Sequence, residues 1–360
     1  GIRVSGKMSS PAVIYNCKVF SHAVQEVPVA TPAALNALTR SFNAGGSFSG
    51  GLDRTSVSIR PVMPTTQPQW ELPDVSEDDA FAGGEPETNS KNETQIVPKY
   101  SLPITDGGGV GIYVEAAGCI LMEDSSVFAN TLVNVLITAK TKSILTKCSL
   151  YASEGYGIVL RTAASVEIRD SFVLHNSYAG LLVEHQAAPI VSNVRISENN
   201  IGCILLGDRS DFARCNISKN RICGVRIGEG SNAVIGDCTL TDNGCGVEVR
   251  YPISTTPTLH HNTLSGNTFC GVLCTGGSRP TVKENVIKIC GVMVRCGGRP
   301  TISDNVIEEN VVGILVRLFS EPIVETNMIR ANQCGAMVEW NAAGVFSRNR
   351  FTSNADHAIT

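Results

Sequence analysis

The chain lacks most of the features that would place it quickly. Charge of one sign is missing: 29 Lys and Arg stand against 33 Asp and Glu, a net charge of −4, which argues against a general nucleic-acid binder. No uninterrupted apolar run approaches the roughly 18 residues needed to cross a bilayer, and no signal peptide is visible. Gly1 is not a natural start, so a fragment or processed product is expected. Helical repeats need long runs at period 3.6, which are absent, and the LxxLxLxxN line of leucine-rich repeats is absent too. There is no CxxC pair, and His260 and His261 have no cysteines at finger spacing, so no metal is expected. The cysteines number 13, an odd count in a 360-residue chain, and most sit inside apolar runs such as "GVLC". That usage fits small buried hydrophobes in a reducing compartment better than a disulfide framework, and an intracellular, cytoplasmic or cytoskeletal location is the expectation.

What the chain does have is a line written many times. "GGSRPTVKENVIKICGVMV", "GGRPTISDNVIEENVVGILV" and "FSEPIVETNMIRANQCGAMV" follow one another, and "GIRVSGKMSSPAVIYNCKVF" opens the sequence with another copy. Aligned on the small residue that opens "G-[IV]-x-V", the copies fall at Gly111, Asn134, Gly157, Gly180, Gly202, Gly224, Gly246, Gly271, Gly291, Gly313, Gly335 and His357. The intervals are 22 or 23 residues, except for 25 before Gly271 and 20 before Gly291. Each copy holds three short Val- and Ile-rich stretches separated by turns: "GILV", then "PTI" or "PIV", then "NVI". Stretches this short suit one solution, a right-handed parallel β-helix in which each copy makes one three-sided turn. About a dozen turns at about 4.8 Å each give a rod on the order of 55 Å long.

Two Asn files support this register. The inner file ends in Asn262, Asn285, Asn305, Asn327 and Asn349, preceded by Cys, Ser and Val on earlier copies. The turn file includes Asn310 and Asn332. Stacked amides of this kind form a structural ladder. The 20-residue copy lacks its turn Asn, which leaves two readings: a tightened corner or missing residues. The organisation expected is a first visible turn over 1–24, a Pro-, Gly-, Ser- and acid-rich insertion over 25–106, mostly disordered, and the β-helix over 107–360. Within the insertion, "QWEL" around Trp70 reads as a docking peptide or a solvated loop.

β-Helices often act on polysaccharides, so catalysis needs a test. The NTD, DD and GHG strings of polygalacturonase-type hydrolases are absent from the repeats, and so is a DPHD string. A file at the outer corner, Asp124, Lys147, Asp170, Asn193, Arg214, Asp237, His261, Glu284, Asp304, Thr326 and Arg348, reads as surface charge pairing. No catalytic residue and no cofactor is assigned. The outward x of "G-[IV]-x-V" is more informative. It runs Arg3, Tyr113, Leu136, Val159, Leu182, Ile204, Arg226, Glu248, Leu273, Met293, Leu315, Met337, and nine of the twelve are apolar or aromatic at positions expected to meet water. From Leu273 through Met293 and Leu315 to Met337 the strip is flanked by Arg250, Arg295 and Arg317. This face is expected to dock a protein partner or peptide of apolar and acidic character; the acidic part of the insertion is one such ligand, supplied in cis.

The lines "GVLCTGGSRPTVKENVI", "GVMVRCGGRPTISDNVIEENVVGILV" and "GVRIGEGSNAVIGDCTLTDNGCGVEV" resemble the β-helix repeats of the carbohydrate-binding/sugar-hydrolase (CASH) class. They are most similar to those of F-box proteins with a C-terminal β-helix and of SHC-binding spindle-associated proteins. The resemblance covers residues 1–23 and 108–360. It implies a non-enzymatic scaffold or adaptor in a cytoskeletal or ubiquitin-ligase-type assembly, although no F-box is visible. The alternative is a carbohydrate-active β-helix, a polysaccharide lyase or an epimerase-like protein.

Overall fold

Short β-branched stretches cannot form a stable sheet alone; each must find a neighbour, and here the neighbour is the same stretch one copy away. The computed structural model describes residues 2–4, 12–20 and 109–360, except 116, 117, 139, 141, 229 and 251–255. Within them every strand pairs in parallel with its counterpart in the next copy, giving sheets of 13, 12 and 12 strands. The first sheet collects the "GILV" strands, such as Val312–Val316; the second the "PTI" strands, such as Thr301–Ser303; the third the "NVI" strands, such as Val306–Glu308. The strands Ile2–Val4, Ala12–Tyr15 and Lys18–Val19 belong to the first coil and pair directly with those beginning at Val110, Ile120 and Ser126. Residues 1–35 and 106–360 belong to one compact unit; a second unit, 36–105, lies outside the described residues, as do "QWEL" and the expected insertion.

Alternation along each strand sends one set of side chains into the rod. On the coil around residue 310 these are Ile302, Ile307, Ile314 and Val316, all fully buried in one continuous apolar cluster. The cluster runs from Val4 to Ala336. Three turns per coil need tight reversals, and most corners place one or two residues, usually not glycine, in the left-handed region. The outer-corner file from Asp124 to Arg348 is one such set, with φ between 46° and 57°. This explains its Asp, Asn and His content, since short polar side chains tolerate that conformation.

At the glycine of "G-[IV]-x-V" there is no room for a side chain. A Cβ on Gly313 would lie 2.5 Å from the Gly335 carbonyl oxygen. Beside this corner runs the turn ladder, each amide handing a hydrogen bond to the next: Asn220 Nδ2 to Asn243 Oδ1 at 2.9 Å, Asn310 to Asn332 at 2.8 Å, Asn332 to Asn354 at 3.0 Å. Asn134, the one Asn in the glycine file, keeps the ladder unbroken. It accepts from Asn130 Nδ2 at 2.9 Å and donates to Asn176 Oδ1 at 3.2 Å, bypassing the short Ser153.

The second ladder stands at the corner between the second and third sheets. Asn262, Asn285, Asn305, Asn327 and Asn349 are linked amide to amide at 2.9–3.0 Å. Each Nδ2 also reaches back to a buried carbonyl, as Asn305 does to Val282 at 2.9 Å. On earlier coils Ser and Cys carry the file, with Cys148 N donating to Ser171 Oγ at 3.0 Å and Cys215 N meeting Cys238 Sγ at 3.4 Å. All 13 cysteines are free.

The 20-residue copy is a tightened corner. Gly291 turns left-handed, with φ of +57°, and Gly271 N reaches both the Cys290 and the Gly291 carbonyl oxygens, at 3.0 and 2.8 Å. Cys290 occupies the rung of the missing Asn. Its Sγ accepts from Asn267 Nδ2 at 3.8 Å, and its backbone N–H donates to Asn310 Oδ1 at 2.8 Å.

Candidate partner-binding face

The x positions are in register along the outside of the first sheet, with Leu273 beside Met293, Met293 beside Leu315 and Leu315 beside Met337. Their exposure is not uniform, which corrects the expectation that the whole file meets water. Leu136, Val159, Leu182 and Ile204 are fully buried, and Leu273 is 3% exposed. None of these five belongs to the interior cluster, so the inside of the rod does not bury them. Beyond Leu273 the file is half-exposed at Met293, Leu315 and Met337, as it also is nearer the start at Tyr113 and Arg226. Polar x residues within the covered stretch are neutralised in pairs: Arg226 Nε lies 2.7 Å from Glu248 Oε2, and in the adjoining file Arg161 meets Glu184 at 2.5 Å.

The three flanking arginines differ in state. Arg250 is held by Glu248. Arg317 Nε lies 3.0 Å from Glu339 Oε2, and its guanidinium sits 5.4 Å from the centre of the Trp340 ring. Among the described residues Arg295 has no carboxylate; its Nε, like that of Arg317, is buried without a hydrogen-bond partner. A buried N–H left unpaired is costly, so Arg295 is the position on this face most in need of an acceptor.

Beside Met293 and Leu315 the wall is notched. The tightened corner begins its first-sheet strand at Val292, one coil after a strand that begins at Cys270. The outward side chain that should stand between Cys270 and Val312 is therefore missing. The resulting notch, about 280 Å³, is lined by Cys270, Gly291, Met293, Val312 and Leu315. Around it stand three exposed apolar residues from successive corners, Phe269 at 53%, Ile289 at 57% and Val311 at 73% exposure. Burial raises the Cys290 thiol above its ordinary pKa, so it stays neutral at physiological pH. These rim residues were not among those singled out from sequence, though the 20-residue interval pointed at their location.

The outer-corner file, expected to pair charges along the surface, does so only in part. Lys147 reaches Glu123 at 3.6 Å, and Arg214 Nε donates to Asn193 Oδ1 at 3.2 Å, while His261 does lie beside Glu284 at 3.2 Å. Among the described residues no group of three or more His, Cys, Asp or Glu is placed to hold a metal ion.

The right-handed β-helix region family matches residues 134–287 and 281–360, more than half of the chain. The chain belongs to that family. No curated protein sequence matches it. Among solved structures, the A-module of mannuronan C-5 epimerase AlgE6 from Azotobacter vinelandii is similar at 12% identity and a TM-score of 0.32. The match covers 69% of this chain and 66% of that one, so it spans less than two thirds of the epimerase module's length.

Proposed function

We propose that this chain is a non-enzymatic β-helix scaffold that recognises protein partners along the outer face of its first sheet, between Leu273 and Met337. The observation that carries this reading is the change in exposure along one continuous file. The apolar residues of this column are buried from Leu136 as far as Leu273 and stand half-open at Met293, Leu315 and Met337. A contiguous apolar strip on a rigid surface is a feature of interaction sites, and the arginines beside it favour a partner with acidic character. The repeat's likeness to F-box β-helices and SHC-binding spindle-associated proteins favours an adaptor within a larger assembly, cytoskeletal or ligase-type. Thirteen free thiols suit a reducing compartment. A carbohydrate-active reading has less support, because catalysis on uronates needs converging carboxylates or a bound cation.

Affinity purification from cell extract, followed by mass spectrometry, tests the proposal. The triple variant Met293→Ser, Leu315→Ser, Met337→Ser should lose the proteins that wild type retains while melting within a few degrees of it. Retention of the same proteins by the folded triple variant would overturn the docking face.

A further inference from the structure

We infer that the notch beside the shortened coil anchors one bulky apolar side chain of an extended acidic partner segment, with Arg295 receiving that segment's carboxylate. This rests on the docking-face reading and gives it a register. The notch exists because a backbone was shortened. A Cβ on Gly291 would lie 2.4 Å from the Val312 carbonyl oxygen, so the corner tolerates only glycine, and glycine leaves the opening unfilled. At about 280 Å³ it falls just below the roughly 300–1,000 Å³ of small-molecule sites and suits a single large side chain.

The rim carries a second sign. At the corner that holds Ile289, other coils place Ala152, His175, Glu198, Lys219, Asp242, Glu309, Ala331 and Ser353, all left-handed. Ile289 is the β-branched exception, at φ +58°, a conformation that β-branched L-residues adopt only at a cost. An unfavourable residue kept exposed at the mouth of an apolar notch is unfavourable for folding and favourable for contact.

Charge then orients the partner. Among the described residues Glu309 is the one carboxylate lining the notch, which disfavours an acidic group at that end. Arg295 lies two residues beyond Met293 on the same side of the strand, about 6.6 Å along it. Its neighbours Arg250 and Arg317 already have carboxylates, at Glu248 and Glu339. An extended segment with its apolar residue in the notch therefore brings an Asp or Glu, two to four residues away, to the open guanidinium.

Selection of random twelve-residue phage-displayed peptides on the full chain tests this. Wild type should enrich peptides with one bulky apolar residue and an Asp or Glu two to four positions from it. Arg295→Glu should keep the apolar preference and replace the acidic one with Lys or Arg. Val312→Phe, which puts a ring into the gap, should weaken the selected peptides by about tenfold or more, with thermal melting reporting that the rod is intact. Enriched peptides with no acidic preference, or a preference unmoved by Arg295→Glu, overturn the Arg295 assignment; binding unmoved by Val312→Phe overturns the notch. In both cases sensitivity to the Met293, Leu315, Met337 triple variant leaves the docking face standing. Peptides that bind the triple variant as well as wild type overturn both. No enrichment on wild type overturns the anchor, while extract purification judges the face separately.

Discussion

The two halves of the rod are built from one repeat and stabilised in different ways. From Leu136 to Leu273 the outer face of the first sheet is shut away from water, and the ladder between the second and third sheets is made of Ser, Cys and Val up to Cys238. From Asn262 onward that ladder is asparagine on every coil, while the outer face opens at Met293. Where both faces of a sheet are buried, packing fixes the coils. Where one face must stay available, hydrogen bonds along the corner take over that task. The half that presents a surface is thus the half whose interior is most densely cross-linked by amides.

Breaking the ladder gives the largest expected effect. Asn305→Ala removes four hydrogen bonds, to the Asn285 backbone N–H and Nδ2, the Val282 carbonyl and Asn327 Oδ1, and should cost about 4 kcal/mol in urea unfolding. Ser171→Ala in the other half removes two bonds, one accepted from Cys148 N and one donated to the Arg169 carbonyl, and should cost about 2 kcal/mol. Smaller Asn305 losses, equal to those at Ser171, would erase the contrast. The outer face gives the next test. Leu182→Ser should destabilise by about 3 kcal/mol because the site is fully buried, whereas Leu315→Ser should cost under about 1 kcal/mol.

Alkaline pH should then weaken the thiol-rich half first. Burial pushes the Cys148 thiol up to about 11, above its ordinary value of 9.0. Its contribution is fully present below about pH 9 and is lost as pH rises through about 11, because only the unfolded chain ionises readily between them. The loss should reach about 2 kcal/mol in denaturant midpoints and be absent in Cys148→Ser. The smallest effect is a gain. Ile289→Gly relieves a left-handed β-branched residue and should raise stability by about 1 kcal/mol while weakening peptide capture.

Much of this was legible without coordinates. A 22-residue period of short β-branched stretches leaves little room for any other fold, and the Asn files mark two of its corners. The parts that were missed all depend on a neighbour that the repeat does not describe. Asn134 looked like a degenerate glycine position, because its role is set by Ser153 on the next coil. Cys290 looked like the loss of a rung; the tightened corner brings its sulfur and its N–H to where an amide would be. The burial of Val159 and Leu182 could not be read from strand alternation, which says that a side chain leaves the rod but not what it then meets. Phe269, Ile289 and Val311 belong to no repeating file, and only the 20-residue interval among them points to their place.

The sulfur rung has a mechanical consequence. Elsewhere along that corner amide follows amide at about 3 Å, but between Asn267 and Cys290 the link stretches to 3.8 Å and the acceptor is a weak one. Drawn out along its length, a molecule of this kind should part at its poorest joint, leaving a block that ends near Asn267 and another that begins near Asn310. The seam where the rod yields most easily is also the one beside which it holds its opening.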